Sequence, residues 1–518
     1  MSDIQQFFRT GIRNSSYTTV GLLSNMLISL LFAGLTIRYL GLERSGFLLA
    51  LQAVLGINGV VADLGLATPL SRRLALFVFR RRFQYARWLL GTIVVTSSAS
   101  SILFSIVLVA TFPWIFEYSK LDPLFYPDAW WATVFSAAQF VLQQPSNAFR
   151  IGYTCCQRYD LYHGTSIVIN LGSTLLRLAV LLLCPTMMAV TAAGLAASAG
   201  TILLDLALLK NLMNGVPYPA LIWREVRMAL GFGTWNYLTR LAGFFYLSAD
   251  RIILTAYLGA GALPFYALPQ RFVEQIHSLL SGQLHYLFPY FSSLGDDSRT
   301  IIEKVEDPVR WMLALTAVVL YGGLALFGHP LLTVLVGAEF ADQASIPLQL
   351  ACIQGVFMAQ VIFNYYATWS QNEAKVNALY DLTSYGGGCL LALGLIPLFG
   401  VEGAALARLV VVPLFFFHLY YSRRYLQLPC NLHAMLSPYV LPLALLGFLV
   451  VSQWLLSSLI DDWRWHAVAA SFVLPLGCLA VWRIEVRCFK KNGRAELVTQ
   501  LVAMVWNWFR GFGVHHPA

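Results

Sequence analysis

The sequence predicts an all-α protein that crosses a membrane about fourteen times, because its apolar residues are gathered in runs of spanning length. Of the 518 residues, 58% are hydrophobic and only 11% are charged. A soluble domain has about 25% charged residues. The mean hydropathy of +0.67 points in the same direction. Most of the chain is therefore expected to fold in lipid, which excludes a soluble enzyme of two or three domains.

The apolar runs divide the chain into two sets of six predicted helices and a final pair. The predicted segments are an interfacial segment, 1–13; an N-lobe with helices one to six, 14–210; a cytoplasmic linker, 211–225; a C-lobe with helices seven to twelve, 226–422; two appended helices, 436–484; and an amphipathic cytoplasmic tail, 485–518. Hydrophobic residues at helical spacing predict that both end segments lie at the membrane surface.

Basic residues alternate along the predicted loops, and this alternation predicts the orientation. The basic loops carry Arg72, Arg73, Arg80, Arg81, Arg82, Arg87, Arg150, Arg158, Lys210, Arg224, Arg227, Arg299, Lys304, Arg310, Lys375, Arg423 and Arg424. Cytoplasmic loops are enriched in Lys and Arg, so we expect a multi-pass protein with both termini in the cytoplasm. The net charge of +9 is spread over these loops and does not form the basic patch of a nucleic-acid-binding protein.

Two short stretches recur at the same point in the predicted topology. Tyr39-Leu40-Gly41 follows helix one, and Tyr257-Leu258-Gly259 follows helix seven. Residues 190–196 are echoed in the same way by residues 401–407. An offset of six helices gives both halves the same orientation, which is the parallel kind of repeat. Two six-helix lobes in parallel repeat around a central path are typical of a transporter.

Four further stretches carry a family resemblance. They are Arg38-Tyr39-Leu40-Gly41, Ala62-Asp63-Leu64-Gly65-Leu66 followed by Arg72-Arg73, Gln157-Arg158-Tyr159-Asp160, and Ser248-Ala249-Asp250-Arg251-Ile252-Ile253-Leu254. They resemble the bacterial polysaccharide-lipid flippases of the Wzx type, in the multidrug/oligosaccharidyl-lipid/polysaccharide exporter superfamily. The resemblance implies an inner-membrane protein that moves undecaprenyl-diphosphate-linked oligosaccharide to the periplasmic leaflet, for O-antigen, lipopolysaccharide or exopolysaccharide synthesis.

Ionisable side chains inside predicted spans mark the candidate site, because charge is costly within a bilayer. Arg240 and Arg251 share nearly the same face of helix seven, and a polar stripe on helix eight begins at Arg271. Arginine suits the diphosphate that the resemblance implies, since it stays charged and offers planar pairs of donors to phosphate. We therefore expect these three arginines to attract the diphosphate.

The other candidates have weaker signals. They are Arg177 and Arg408 for the diphosphate, Asn364 and Tyr237 for the sugars, and Asp63, Asp250, Glu274 and His285 for coupling or gating. Structural alternatives stay open, because charges buried in a membrane normally pair. Asp250 then neutralises Arg251, Glu274 neutralises Arg271, and Arg177 and Arg408 pair or reach the interface within their own lobes.

Two rival functions remain at this point. A cation-coupled multidrug extruder of the same superfamily would be expected to carry an acidic residue in the first helices of a lobe, and Asp63 is the residue that keeps this function open. A membrane polysaccharide polymerase or ligase would be expected to carry a long external loop, and the predicted external loops are short. The sequence contains no catalytic motif and no metal-ligand spacing among its eight cysteines, so we expect neither an enzyme nor a cofactor.

The expected partners follow from this interpretation. They are the lipid-linked oligosaccharide and the surrounding membrane lipids, and the resemblance adds other polysaccharide assembly proteins. No ATP-hydrolysing domain is recognisable in the sequence, so transport is expected to use an ion gradient, the membrane potential or removal of the product.

Overall fold

The computed structural model describes residues 23–488, except for 25, 64–65, 157, 214, 286, 289–290, 292–297, 372–373, 429 and 461. These residues form helices joined by short connections and include no strand, which confirms the predicted all-α class. Eight helical stretches among them are long and apolar enough to cross a membrane, and a shorter apolar helix precedes them. The predicted surface segments at 1–13 and 489–518 lie outside the described residues.

The described helices follow the predicted spans in order. The first group is α1 (Met26–Leu40), α2 (Leu42–Asp63), α3 (Ala67–Phe79), α4 (Phe83–Ala110), α5 (Phe112–Tyr118), α6 (Tyr126–Cys155), α7 (Tyr159–Leu183) and α8 (Met187–Leu212). The second group is α9 (Trp223–Leu258), α10 (Leu263–Leu284), α11 (Ser298–Leu335), α12 (Ala338–Ser370), α13 (Ala374–Arg408), α14 (Val411–Tyr425), α15 (Leu432–Leu436), α16 (Val440–Leu459) and α17 (Trp463–Cys488). Each predicted span overlaps one or two of these helices.

The repeated Tyr-Leu-Gly stretches have the same local structure in both halves. α1 ends at Leu40 and α9 ends at Leu258, and the glycine that follows has a φ of +82° at Gly41 and +89° at Gly259. L side chains rarely adopt this left-handed backbone conformation, so glycine is the residue that ends a helix here at little cost. The sequence repeat therefore corresponds to a repeated helix end.

Another glycine divides α13. Gly400 has a non-helical backbone, with φ +60° and ψ −132°, and it lies between predicted helices eleven and twelve. The continuous apolar stretch Lys375–Tyr425 therefore comprises two spans joined at this residue.

The chain forms two compact units by contact. Unit 1 consists of Met1–Phe272, Leu335–Pro347 and Asp381–Val410. One of its apolar clusters includes Leu70, Leu89, Tyr153 and Leu209 from α3, α4, α6 and α8. Burial of such side chains contributes about 1.5–3 kcal/mol each relative to exposure in water, and in a membrane protein close packing takes over much of this role.

Unit 2 consists of Val273–Val334, Leu348–Tyr380 and Val411–Ala518. Its largest fully buried side chains include Trp311, Tyr321 and Phe363. The ring of Tyr321 packs directly over Gly355, where a side chain would overlap it. The boundaries of the units differ from those of the predicted lobes, because unit 1 takes in α9 and the start of α10. The two-lobe division stays a prediction.

Candidate functional site

A buried ion pair joins α9 and α13 within unit 1. The Nε and Nη2 atoms of Arg408 donate to Oδ2 of Asp250 at 2.8 and 2.6 Å. Asp250 is 5% exposed and Arg408 is 3% exposed. The buried hydroxyl of Tyr266, on α10, donates to the same carboxylate oxygen. A carboxylate that accepts two guanidinium donors and a phenol donor neutralises the arginine charge and ties three helices together.

Arg251 is adjacent to this pair and is only partly buried. Its backbone N–H donates to Oδ1 of Asp250 at 2.8 Å, so the second carboxylate oxygen also has a donor. The carboxylate therefore bonds to the side chain of Arg408, far away in the sequence, and to the main chain of its neighbour. This geometry agrees with the structural alternative for Asp250 and Arg408.

Arg271 joins α10 to the first helix. Its Nη2 atom donates to Oγ of Ser29 at 2.9 Å, and both side chains are partly buried. Ser29 belongs to the polar side of α1, so a polar residue of the first helix and a cation of α10 meet at one place. This contact leaves the arginine charged, because a serine hydroxyl is neutral at every physiological pH.

The turn between α9 and α10 is held against the start of α2 and the end of α5. The N–H of Ala260 donates to the carbonyl oxygen of Ser119 at 2.7 Å, and Nζ of Lys120 donates to the carbonyl oxygen of Tyr257 at 2.8 Å. The carbonyl of Ala260 comes so close to Gly46 that a side chain at Gly46 would overlap it. We call this set of contacts the closure; it joins residues of the predicted N-lobe to residues of the predicted C-lobe.

Unit 2 contains a second buried ionic cluster. Glu306 lies four residues before Arg310 on α11, and its Oε1 accepts from Nη1 of Arg310 and, at 2.9 Å, from Nη1 of Arg423 on α14. Nη2 of Arg310 donates to Oδ1 of Asn364 on α12. All four side chains are buried, and the guanidinium carbon of Arg310 lies 5.8 Å from the ring centre of Phe363. The sequence analysis assigned both arginines to loops; the buried position of Glu306 would have been the signal for pairing them.

With this geometry described, similarity to known proteins can be considered. The sequence model of the family described as "Polysaccharide biosynthesis protein" matches residues 12–295, which is more than half of the chain. The chain belongs to the polysaccharide biosynthesis protein family. This confirms the superfamily that the sequence motifs indicated. No curated protein sequence matches the chain.

Solved structures show the same fold for this family member. The structure "Lipid II flippase MurJ, inward closed conformation" aligns with a TM-score of 0.71 and 14% identity over 92% of this chain and 99% of that one. An inward-facing multidrug resistance MATE family transporter aligns with a TM-score of 0.61 and 13% identity over 79% and 98%. A mutant of the Vibrio cholerae MATE transporter VcmN gives 0.55 and 14% over 82% and 98%. The predicted polytopic fold, with about fourteen spans, agrees with these similarities.

The other predicted site residues of this family member are distributed over the fold. Glu274 is partly buried on α10, and the ring of exposed His285 lies 5.8 Å from that of Tyr366 in a T-shaped arrangement. Arg177, on α7, extends its guanidinium toward Gly194 of α8 and the side chain of Gln139 of α6. The backbone of residues 63, 237 and 240 is helical, whereas the side chains of Asp63, Tyr237 and Arg240 lie outside the described part. No group of three or more metal-ligating side chains occurs among the described residues.

Proposed function

We propose that the chain is a flippase that moves undecaprenyl-diphosphate-linked oligosaccharide from the cytoplasmic to the periplasmic leaflet of a bacterial inner membrane, for surface polysaccharide synthesis. Membership in the polysaccharide biosynthesis family supports a carbohydrate substrate. The aligned structure described as a lipid II flippase has a lipid-linked substrate by its name, and we extend this class of substrate to the present chain.

The observation that carries the proposal is the contact between Arg271 and Ser29. It places a charged guanidinium against a neutral hydroxyl of a different helix at 2.9 Å. Phosphate oxygens accept stronger, charge-assisted hydrogen bonds from arginine than a serine oxygen does. A lipid diphosphate therefore has an energetic reason to replace Ser29 as the partner of Arg271.

Arg271 is the central residue of the proposed diphosphate site, with Arg240 and Arg251 as the further cations and Tyr237 on the sugar side. The arginine charge that Asp250 neutralises, that of Arg408, is already satisfied within the protein. Asn364 is fully buried and bonded to Arg310, and we leave it and Arg408 out of the proposed site.

The closure supports an alternating-access mechanism. The distribution of basic residues predicts that the α9–α10 turn lies on the extracytoplasmic side, and in this orientation the closure blocks the exit. Release of the headgroup to the periplasm then requires that the hydrogen bonds from Ala260 and Lys120 break. In this proposal the polyprenyl tail stays in lipid while the headgroup crosses inside the protein.

The test is flipping of a fluorescent undecaprenyl-diphosphate-linked oligosaccharide in vesicles that contain the purified protein. Arg271→Ala removes charge-assisted hydrogen bonds worth about 1.5–3 kcal/mol, so we expect flipping to fall by about tenfold or more. Arg424→Ala is the matched control, because Arg424 is exposed at the end of α14 and its loss should leave flipping unchanged.

The results separate the site from the function. Wild-type flipping with undiminished flipping in Arg271→Ala would keep the flippase and remove Arg271 from the site. No flipping by the wild type, together with cation-driven drug efflux from the same vesicles, would replace the proposal with a multidrug extruder.

A further inference from the structure

A buried carboxylate in α8 has no role in the site described above. Asp205 lies within a stretch, Met187–Leu212, that is apolar and long enough to span a membrane, and it is 0% exposed. The hydroxyl of Tyr153, on α6, donates to the backbone oxygen of Asp205 at 2.9 Å and to its Oδ1 at 3.1 Å. One carboxylate oxygen is thus satisfied by a neutral donor.

The other carboxylate oxygen is not satisfied in this way. Oδ2 of Asp205 lies 3.9 Å from Nε of Arg150, which is too long for a hydrogen bond. Within the described residues, neither of these two buried atoms has a hydrogen-bond partner. Buried polar groups are nearly always hydrogen-bonded, so an exception in a membrane span calls for a functional explanation.

The surroundings of Asp205 are otherwise poor in charge. α6 contributes Arg150 and Tyr153 as charged or titratable groups, together with Ser146 and Cys155 nearby. The residues that α3 and α4 contribute to the adjoining cluster are apolar, and α7 contributes Tyr162 to it. The carboxylate therefore depends on a single, distant cation for compensation of its charge.

A route for protons exists beside it. The side chain of Arg150 is 21% exposed whereas that of Asp205 is fully buried. Arg150 thus extends from the buried carboxylate to the surface of the described structure, and water that solvates the guanidinium reaches within one side chain of Oδ2.

We propose that Asp205 is a proton-binding site that couples transport to the proton gradient. One proton from water adds to Oδ2, which converts the carboxylate to a neutral carboxylic acid and leaves the charge of Arg150 free to be hydrated. The proton returns to water when access alternates. This inference rests on the proposed transport function and assigns its coupling ion, which the diphosphate site does not specify.

The control for this site is another buried carboxylate with the same kinds of partner. Glu225, at the start of α9, is 3% exposed; its Oε2 lies 2.8 Å from Nη1 of Arg73, and Tyr85 donates to its Oε1 at 3.0 Å. Both of its oxygens are held at short distances, so it has no vacant position for a proton.

The experiment measures flipping of the same fluorescent lipid-linked oligosaccharide in vesicles with an imposed pH gradient of either sign. The wild type should change its rate with the gradient, Asp205→Asn should lose this response, and Glu225→Gln should keep it. A wild type that flips but ignores the gradient, or an Asp205→Asn variant that still responds, would overturn the inference and leave the proposed function intact. Absence of flipping in the wild type would instead count against the proposed function.

A second measurement does not depend on transport. Infrared difference spectra of the purified protein between acidic and neutral pH should show the carbonyl band of a protonated carboxylic acid that Asp205→Asn lacks and Glu225→Gln retains. In Arg150→Gln, which leaves Asp205 itself in place, the pH midpoint of this band should move upward by about one unit, because a nearby positive charge favours the ionised carboxylate. An unchanged midpoint would show that Arg150 does not compensate Asp205, contrary to the proposal.

Discussion

Two buried carboxylates of unit 1, Asp250 and Asp205, each have a tyrosine and an arginine beside them. At Asp250, the arginine nitrogens of Arg408 lie 2.8 and 2.6 Å from one oxygen. At Asp205, the arginine nitrogen of Arg150 lies 3.9 Å from the nearer oxygen. The same three residue types thus form a closely bonded pair in one place and a separated pair in the other.

Exposure differs in the same direction. Arg408 is buried together with its carboxylate, whereas the side chain of Arg150 is partly exposed. A fully buried arginine depends entirely on its carboxylate, because desolvation costs several kcal/mol per ion. The comparison teaches that the distance and the exposure of the cation, more than the residue types, separate a structural pair from one that can open.

The largest effect in this comparison is expected for Asp250→Ala. The change leaves Arg408 buried without its counter-charge, and it should lower the free energy of unfolding by about 3–5 kcal/mol. Thermal unfolding of the purified protein in detergent measures it, and removing both partners in Asp250→Ala/Arg408→Ala should recover part of the loss. If the double variant is as unstable as the sum of the two single variants, the pair is not coupled.

A smaller effect is expected for Asp205→Ala. Arg150 can turn toward water when its partner is removed, so the free energy of unfolding should fall by only about 1–3 kcal/mol. The same unfolding measurement, with Asp250→Ala beside it, gives the ranking. Equal losses in the two variants would contradict the distinction between a closely bonded and a separated pair.

The smallest effect is expected for Tyr266→Phe. Asp250 keeps both contacts with Arg408 after the hydroxyl is lost, so the cost should be about 1 kcal/mol. Tyr153→Phe is the matched variant, and it should cost more, because Tyr153 supplies the side-chain hydrogen bond that Asp205 accepts at 3.1 Å. A larger loss in Tyr266→Phe than in Tyr153→Phe, measured by unfolding, would reverse the comparison.

The fold was largely accessible from the sequence, for reasons that particular residues make plain. Apolar runs of spanning length predicted the helices, and the repeated Tyr-Leu-Gly stretches marked two helix ends that share a positive φ at Gly41 and Gly259. The separation of α2 from α3 was not foreseen, because the hydrophobic run continues through 64–66 and no change in composition marks the turn at Leu66.

The candidate site was less accessible, because pairing over long sequence distances leaves no local pattern. Arg408 lies 158 residues from Asp250, whereas the sequence offered the adjacent Arg251 as the partner. Arg423 lies 117 residues from Glu306, and the positive-inside rule placed it in a loop. Asp205 escaped notice because a single acidic residue in an apolar run has no spacing to recognise.

The closure consists largely of main-chain atoms: its bonds end on the carbonyl oxygens of Ser119 and Tyr257, and one begins at the N–H of Ala260. Every residue except proline has these atoms, so mutations can exchange most side chains of the turn without changing how it is recognised. Gly46 is different, because any side chain there would overlap the carbonyl of Ala260. The lock at this end of the protein can therefore diverge freely in sequence as long as one position stays without a side chain.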